Sequence, residues 1–205
     1  MAETALVDSR LSLEKGDHVC VFCRGQEERD QLLLPFLAEG LWSGHKCLAV
    51  LDATDPAEVL DELLLTGPEK RLADQLTVLT SSEVYLTGRG FDMEEMLAFF
   101  AAELRGVMAS STYDCIRTAG EMSWALQDVP GVEDLLAYEA RVNQVLADHP
   151  DTAISLCLYD VDRFDGEMIV GVLRTHPRMF LSGQIVDNPF YVQPEEFLRQ
   201  RASNR

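Results

Sequence analysis

The sequence is poor in positive charge. Its 17 Lys and Arg stand against 35 Asp and Glu, for a formal net charge of -18 over 205 residues. A surface that acidic repels nucleic-acid backbones and anionic membranes, so neither is expected as a direct partner. Long apolar runs are also missing. Nothing approaches the ~18 consecutive apolar residues of a membrane span. The opening Met1-Ala2-Glu3-Thr4 lacks the basic and then apolar regions of a secretory signal. The expectation is a cytoplasmic protein. Its cysteines number five, and an odd count in a reducing compartment argues against a disulfide framework. No repeat, low-complexity segment or linker divides the chain, and its length fits one domain (residues 1–205) with a sizeable core.

What is present alternates. Short β-rich apolar runs lie at His18–Phe22, Cys47–Leu51, Leu76–Thr80, Tyr113–Thr118 and Ile154–Tyr159, with a further strand near Met179–Leu181. Between them lie helical patterns. One spans about Glu27–Trp42, where the interior Pro35 predicts a kink or a late start. Asp55-Pro56-Ala57-Glu58 and Asp92 with Glu95 read as capped helix starts. Further helices read at Val132–Ala147, Asp165–Arg174 and from Pro194, and a short one at Leu6–Leu13. The Val132–Ala147 stripe includes Glu139 among its apolar residues. Strands alternating with helices predict an α/β single domain, a mostly parallel sheet with helices on both faces. The tail beyond Pro177 is expected to wrap the body.

The run from His18 to Glu28 organises the rest. In an open α/β sheet, ligands bind beyond the carboxyl ends of the strands, which puts Arg24 and Glu28 at the rim of a pocket. A triphosphate there would need a Gly-Lys-Ser/Thr. None exists, and Glu27 and Glu28 sit where a phosphate needs donors. The layout is that of a nucleotide-binding fold without its nucleotide chemistry, so an active ATPase ranks last among the readings.

Several groups could carry other chemistry. Cys20, Cys47, Cys115 and Cys157 each fall inside a predicted strand and Cys23 lies just past one, and the plain reading is core packing. The sharper reading makes His18, Cys20 and Cys23 a partial metal or thiol site. Strand alternation puts Cys23 on the opposite face, and a further ligand such as His176 would be needed. Arg117-Thr118-Ala119-Gly120-Glu121-Met122-Ser123-Trp124 follows the fourth predicted strand. Arg117, Glu121 and Trp124 there could orient a small polar ligand, or Arg117 and Glu121 could pair structurally with Trp124 as a core anchor. Leu156-Cys157-Leu158-Tyr159-Asp160 resembles a Walker B strand, although Asp160 also reads as a cap. His149 and His176 precede prolines and lie in extended or turn segments. No Ser-His-Asp or Cys-His arrangement is visible by spacing.

Taken together these stretches resemble the MEDS domain, a prokaryotic sensory family named for methanogen and methylotroph proteins and a dichloromethane-responsive regulator. The likeness rests on His18–Phe22, Phe36–Cys47, Arg117–Trp124, Tyr138-Glu139 with Asn143, Cys157–Asp160, Thr175-His176-Pro177, Asn188–Tyr191 and Pro194–Phe197, in the family's order. The stretch Phe36–Val50 is also similar to the segment after the P-loop of clock-type RecA ATPases. The resemblance implies a RecA-like fold with a degenerate phosphate loop, and sensing rather than catalysis. It implies a small hydrocarbon derivative as ligand and a signalling partner such as a histidine kinase or stress-response regulator. The family's first-strand histidine and cysteine match His18 and Cys20, whereas Cys23 stands where the family has an aromatic. No output domain is read in the chain, so signalling is expected through a partner or through homodimer formation. The expected ligand site is His18, Cys20, Arg24, Glu28, Arg117, Glu121, Trp124, Tyr159, Asp160 and His176, at the strand carboxyl ends, with no cofactor. The alternatives are a ligand-free interaction module and a His/Cys metal or redox sensor.

Overall fold

The computed structural model describes residues 12–52, 55–66, 72–86 and 90–203. The chain runs β1 (His18–Cys23), α1 (Gly25–Trp42), β2 (Lys46–Leu51), α2 (Pro56–Thr66), α3 (Leu72–Gln75), β3 (Leu76–Thr80), α4 (Ser81–Val84) and α5 (Met93–Met108). It continues through β4 (Ile116–Glu121), 3-10 turns at Met122–Leu126 and Val132–Asp134, α6 (Leu135–Asp148), β5 (Ala153–Asp160) and α7 (Gly166–Thr175). The hairpin β6 (Arg178–Leu181) and β7 (Gln184–Asp187) and the last helix, α8 (Pro194–Ser203), complete it. The seven strands form one sheet in the order β3-β2-β4-β5-β1-β6-β7, all parallel except β7, which runs antiparallel to β6.

Both faces are covered, and each strand divides its side chains between two cores. Val19, Val21, Cys47, Ala49, Ile154 and Leu156 pack with α1 and α2. Cys20, Leu48, Val50, Ile116 and Tyr159 pack with α5, α6 and α7. Period-two alternation on a sheet covered on both sides buries most positions of the central strands β1, β2, β4 and β5, which is why β1, β2 and β5 read as continuous apolar runs.

Three expectations change. The first helix begins at Gly25 and runs through Pro35. That proline is on the exposed side, where the carbonyl it leaves unbonded can meet water. The fourth strand is Ile116–Glu121, three residues later than the apolar pattern placed it. Thr118-Ala119-Gly120 continues as extended strand, and position 120 needs glycine because Tyr85 fills the space a side chain would take: a Cβ on Gly120 would lie 2.7 Å from the Tyr85 hydroxyl. The tail adds a hairpin to the sheet edge before α8 packs on α6 and α7. The short helix expected at Leu6–Leu13 lies largely outside the described residues.

Candidate functional site

The shift of β4 decides what can form a site. Thr118 and Gly120 face α5 and α6, whereas Arg117, Ala119 and Glu121 face the opposite core. Arg117 is 4% exposed beneath α1. Its Nη1 donates to the Phe36 carbonyl at 3.0 Å and to Glu39 Oε2 at 3.1 Å, its Nε approaches His45 Nδ1 at 3.4 Å, and its guanidinium lies 5.1 Å from the Phe36 ring centroid. Gly40 permits this approach, since a Cβ there would sit 2.7 Å from Arg117 Cδ. Arg117 therefore ties the sheet to α1, and the pairing with Glu121 does not form. Glu121 instead accepts from Arg29 at 3.1 Å and from the Asp52 backbone N–H at 2.8 Å. This buried Arg29–Glu121 pair lies at the strand carboxyl edge.

The remaining edge residues are dispersed. Arg24 and Glu28 are exposed, with the Glu28 carboxylate accepting from the Arg24 backbone N–H at 2.8 Å. Asp160 accepts from the Asp162 N–H at 3.0 Å and turns the chain after β5. Trp124 is fully buried between Tyr85 and Phe91, with ring centroids 4.7 and 4.8 Å away.

A different set converges inside the α5–α6 face. His18 comes from the start of β1, Cys157 and Tyr159 from β5, Glu139 from the sheet-facing side of α6, and His176 from the end of α7. Glu139, His18 and His176 are fully buried. His18 Nε2 lies 3.3 Å from Glu139 Oε2, His176 Nε2 3.5 Å from the same oxygen, and Cys157 Sγ 3.4 Å from His18 Nε2 and 3.7 Å from Glu139 Oε2. The Tyr159 hydroxyl donates to Glu139 Oε1 at 2.5 Å. Cys20, expected as a partner of His18, points its Sγ towards the Arg178 carbonyl at 3.7 Å, and Cys23 lies against the Tyr159 carbonyl at 3.7 Å.

Outer contacts fix both imidazoles. The Asn143 amide nitrogen donates to the Thr175 carbonyl at 2.7 Å and the Glu139 carbonyl at 3.1 Å, so its oxygen accepts from His18 Nδ1 at 3.1 Å. His176 Nδ1 lies 2.9 Å from the Val172 carbonyl, which can only accept. Each ring thus donates through Nδ1 and turns Nε2 inward. Burial, and secondarily His18, pushes His176 down to about 3, so it is neutral at physiological pH. Burial raises Glu139, yet the two histidines and the Tyr159 hydrogen bond outweigh it and leave the carboxyl below its ordinary value. Burial and then Glu139 hold the Cys157 thiol and the Tyr159 phenol well above their usual values.

Beside this group is a cavity of about 40 Å³ between the sheet and α4, α5 and α6. Leu48, Val50, Tyr85, Met96, Phe100 and Val142 make it apolar, while His18, Glu139 and Cys157 form its polar floor. Thr118 and Ser155, hydrogen-bonded to each other at 2.9 Å, complete the sheet side.

Residues 17–177 match the family model of the MEDS domain, the MEthanogen/methylotroph, DcmR Sensory domain. The chain belongs to the MEDS family. This MEDS chain is 30% identical over 165 residues to the transcriptional repressor DcmR of Methylorubrum extorquens, a match covering 78% of this chain and 58% of that protein. The chain thus spans little more than half the length of this relative. With a transcriptional repressor as relative, the expectation of no connection to nucleic acid is unsupported.

Solved structures show the fold. The flagellar accessory protein FlaH from Methanocaldococcus jannaschii is similar with a TM-score of 0.52 and 14% identity, over 84% of this chain and 76% of that one. The Pyrococcus horikoshii protein PH0321, solved with an unknown peptide, is similar with a TM-score of 0.60 and 15% identity, over 84% and 82%. These are RecA-like folds, as the sequence implied. Among the described residues no helix is long and apolar enough to cross a membrane.

In this MEDS domain the sequence singled out His18, Tyr159 and His176 and missed the roles of Glu139, Cys157 and Asn143. Glu139 was legible in principle: a carboxylate on an apolar helical stripe must find partners when buried. Cys157 pairs in register with Cys20 on the neighbouring strand, an adjacency that only the strand order reveals.

Proposed function

We propose that this MEDS domain is a non-enzymatic sensory module that takes an organic molecule of one or two carbons into the cavity above His18, Glu139 and Cys157. The observation that carries this reading is the cavity itself: about 40 Å³, walled by Tyr85, Met96 and Phe100 and floored by polar groups that already have fixed orientations. An apolar pocket with a few convergent polar groups is the usual form of a small-molecule site, and that volume exceeds the ~10–15 Å³ needed for one water. The family's description as sensory supports the reading.

Occupancy would act on α5 and α6, which form the cavity's roof, and so on the surface they present to a signalling partner or a second copy. The likeness to a transcriptional repressor favours transcriptional control as the output. At the strand carboxyl edge, where a ligand was first expected, Arg29 and Glu121 pair with each other.

The test is a titration of the protein with halogenated hydrocarbons and alcohols of one to three carbons, followed by amide chemical shifts. Saturable shifts at Gly120, Val142 and Cys157, weakening as the chain lengthens, are expected. Shifts confined to Arg24–Glu28 and Asp160, or none at all, would refute the reading.

A further inference from the structure

We propose that His18, Glu139, Cys157 and His176 form a binding site for a divalent transition metal of the zinc(II) type. The four donor atoms lie within 4.8 Å of one another. Four of their separations are 3.3, 3.4, 3.5 and 3.7 Å. The edge of a regular tetrahedron is about 1.6 times its centre-to-vertex distance, so these edges imply bonds of about 2.0–2.3 Å, the lengths zinc makes to imidazole, carboxylate and thiolate.

Both imidazoles use Nδ1 for an outer hydrogen bond and turn Nε2 onto one oxygen of Glu139, so that at His176 an imidazole lone pair faces the carboxylate. His176 Nε2 is buried and has no hydrogen-bond partner. The Cys157 thiol has a single proton and can satisfy at most one of these acceptors. A dication would satisfy all of them together.

The surroundings are those of a built site. Asn143 orients His18, the Val172 carbonyl orients His176, and the Tyr159 hydroxyl holds Glu139 Oε1, leaving Oε2 free as a single ligand atom. Metal sites use such outer contacts to fix tautomer and direction. Two imidazoles, a carboxylate and a thiolate suit zinc, cobalt(II) or iron(II) rather than magnesium or calcium. On binding, Cys157 becomes the thiolate and its proton passes to solvent. This set differs from His18, Cys20 and Cys23, the combination that sequence spacing suggested.

The experiment adds cobalt(II), then zinc(II), to chelator-treated full chain. Expected is stoichiometric cobalt binding with the intense visible bands of tetrahedral geometry and a near-ultraviolet thiolate-to-metal band, all lost on adding zinc. Cys157→Ser removes the thiolate band and Cys20→Ser keeps it. Should Cys157→Ser not fold, X-ray absorption of the zinc-loaded wild type decides, with one sulfur and two imidazoles in the coordination sphere. Absence of stoichiometric cobalt, a weak six-coordinate spectrum, a zinc sphere without sulfur, or a thiolate band that follows Cys20 would each overturn the proposal. The outcome is separable from the sensory reading, because small-molecule shifts at Gly120 and Val142 are measured with and without metal.

Discussion

The imidazoles of His18 and His176 lie 4.1 Å apart between ring centroids, yet they come from opposite ends of the chain and turn their Nε2 atoms onto the same oxygen of Glu139. The parallel sheet brings them together: β1 sits between β5 and β6, so the start of β1 meets the loop that leaves α7 for β6. Everything expected of the site depends on Glu139 standing between those rings.

Two substitutions at Glu139 should therefore behave differently in the metal-free protein. Glu139→Ala removes the acceptor for Tyr159 and leaves a void, at a cost of about 2–4 kcal/mol. Glu139→Gln keeps an oxygen for Tyr159 and offers an amide N–H to an imidazole lone pair, so its cost stays below about 1 kcal/mol. Urea unfolding of both variants checks this, and equal losses would contradict the assigned tautomers.

Arg117 belongs to the framework rather than to the pocket. Arg117→Ala leaves the Phe36 carbonyl and Glu39 without their donor and is expected to lower stability by roughly 2–4 kcal/mol, below the full cost of breaking a buried pair because Glu39 retains some solvent. Small-molecule shifts at Val142 should persist in whatever fraction remains folded. A stable variant that loses those shifts would return Arg117 to the ligand site.

Gly120 tests the cavity from the sheet side. In Gly120→Ala the added methyl would lie 2.7 Å from the Tyr85 hydroxyl and 3.3 Å from Met122 Sδ, and Tyr85 is stacked on Trp124 with little freedom to move. The expected result is a loss of about 1–3 kcal/mol and weaker uptake of small molecules. Unchanged uptake would show that the ligand lies elsewhere.

His45 gives a pH dependence. Burial, then the Arg117 charge, lowers its folded-state pKa. The unfolded chain therefore takes up a proton near pH ~6.5 that the folded chain resists. The stabilisation is complete above that pH and declines as pH falls below it. His45→Gln should show a shallower loss of urea midpoint between neutral and mildly acidic pH than the wild type, and parallel profiles would count against it.

Much of this architecture was legible because strand and helix periods differ. Leu76–Thr80 was read to the residue, and the Asp92 cap is present, its carboxylate accepting from the Glu95 N–H. The site was only half legible. His18 and His176 were found as residue types, but their partner Glu139 looked like one more position on a helical stripe. Arg117 and Glu121 were placed at the sheet edge because the apolar run was ended at Thr118, three residues short of the strand's end at Glu121. The approach of Tyr85 to Gly120 is a contact that depends on tertiary packing and has no local sequence signal.

The account's central claim is that the functional pocket lies between the sheet and α5–α6, above Glu139, and not at the strand carboxyl ends. Amide spectra of the wild type under xenon pressure test it most directly, since xenon enters apolar cavities without needing a polar partner. Saturable shifts at Gly120, Val142 and Cys157 are predicted. Shifts centred on Arg24, Glu28 and Asp160 with none at those three would contradict it.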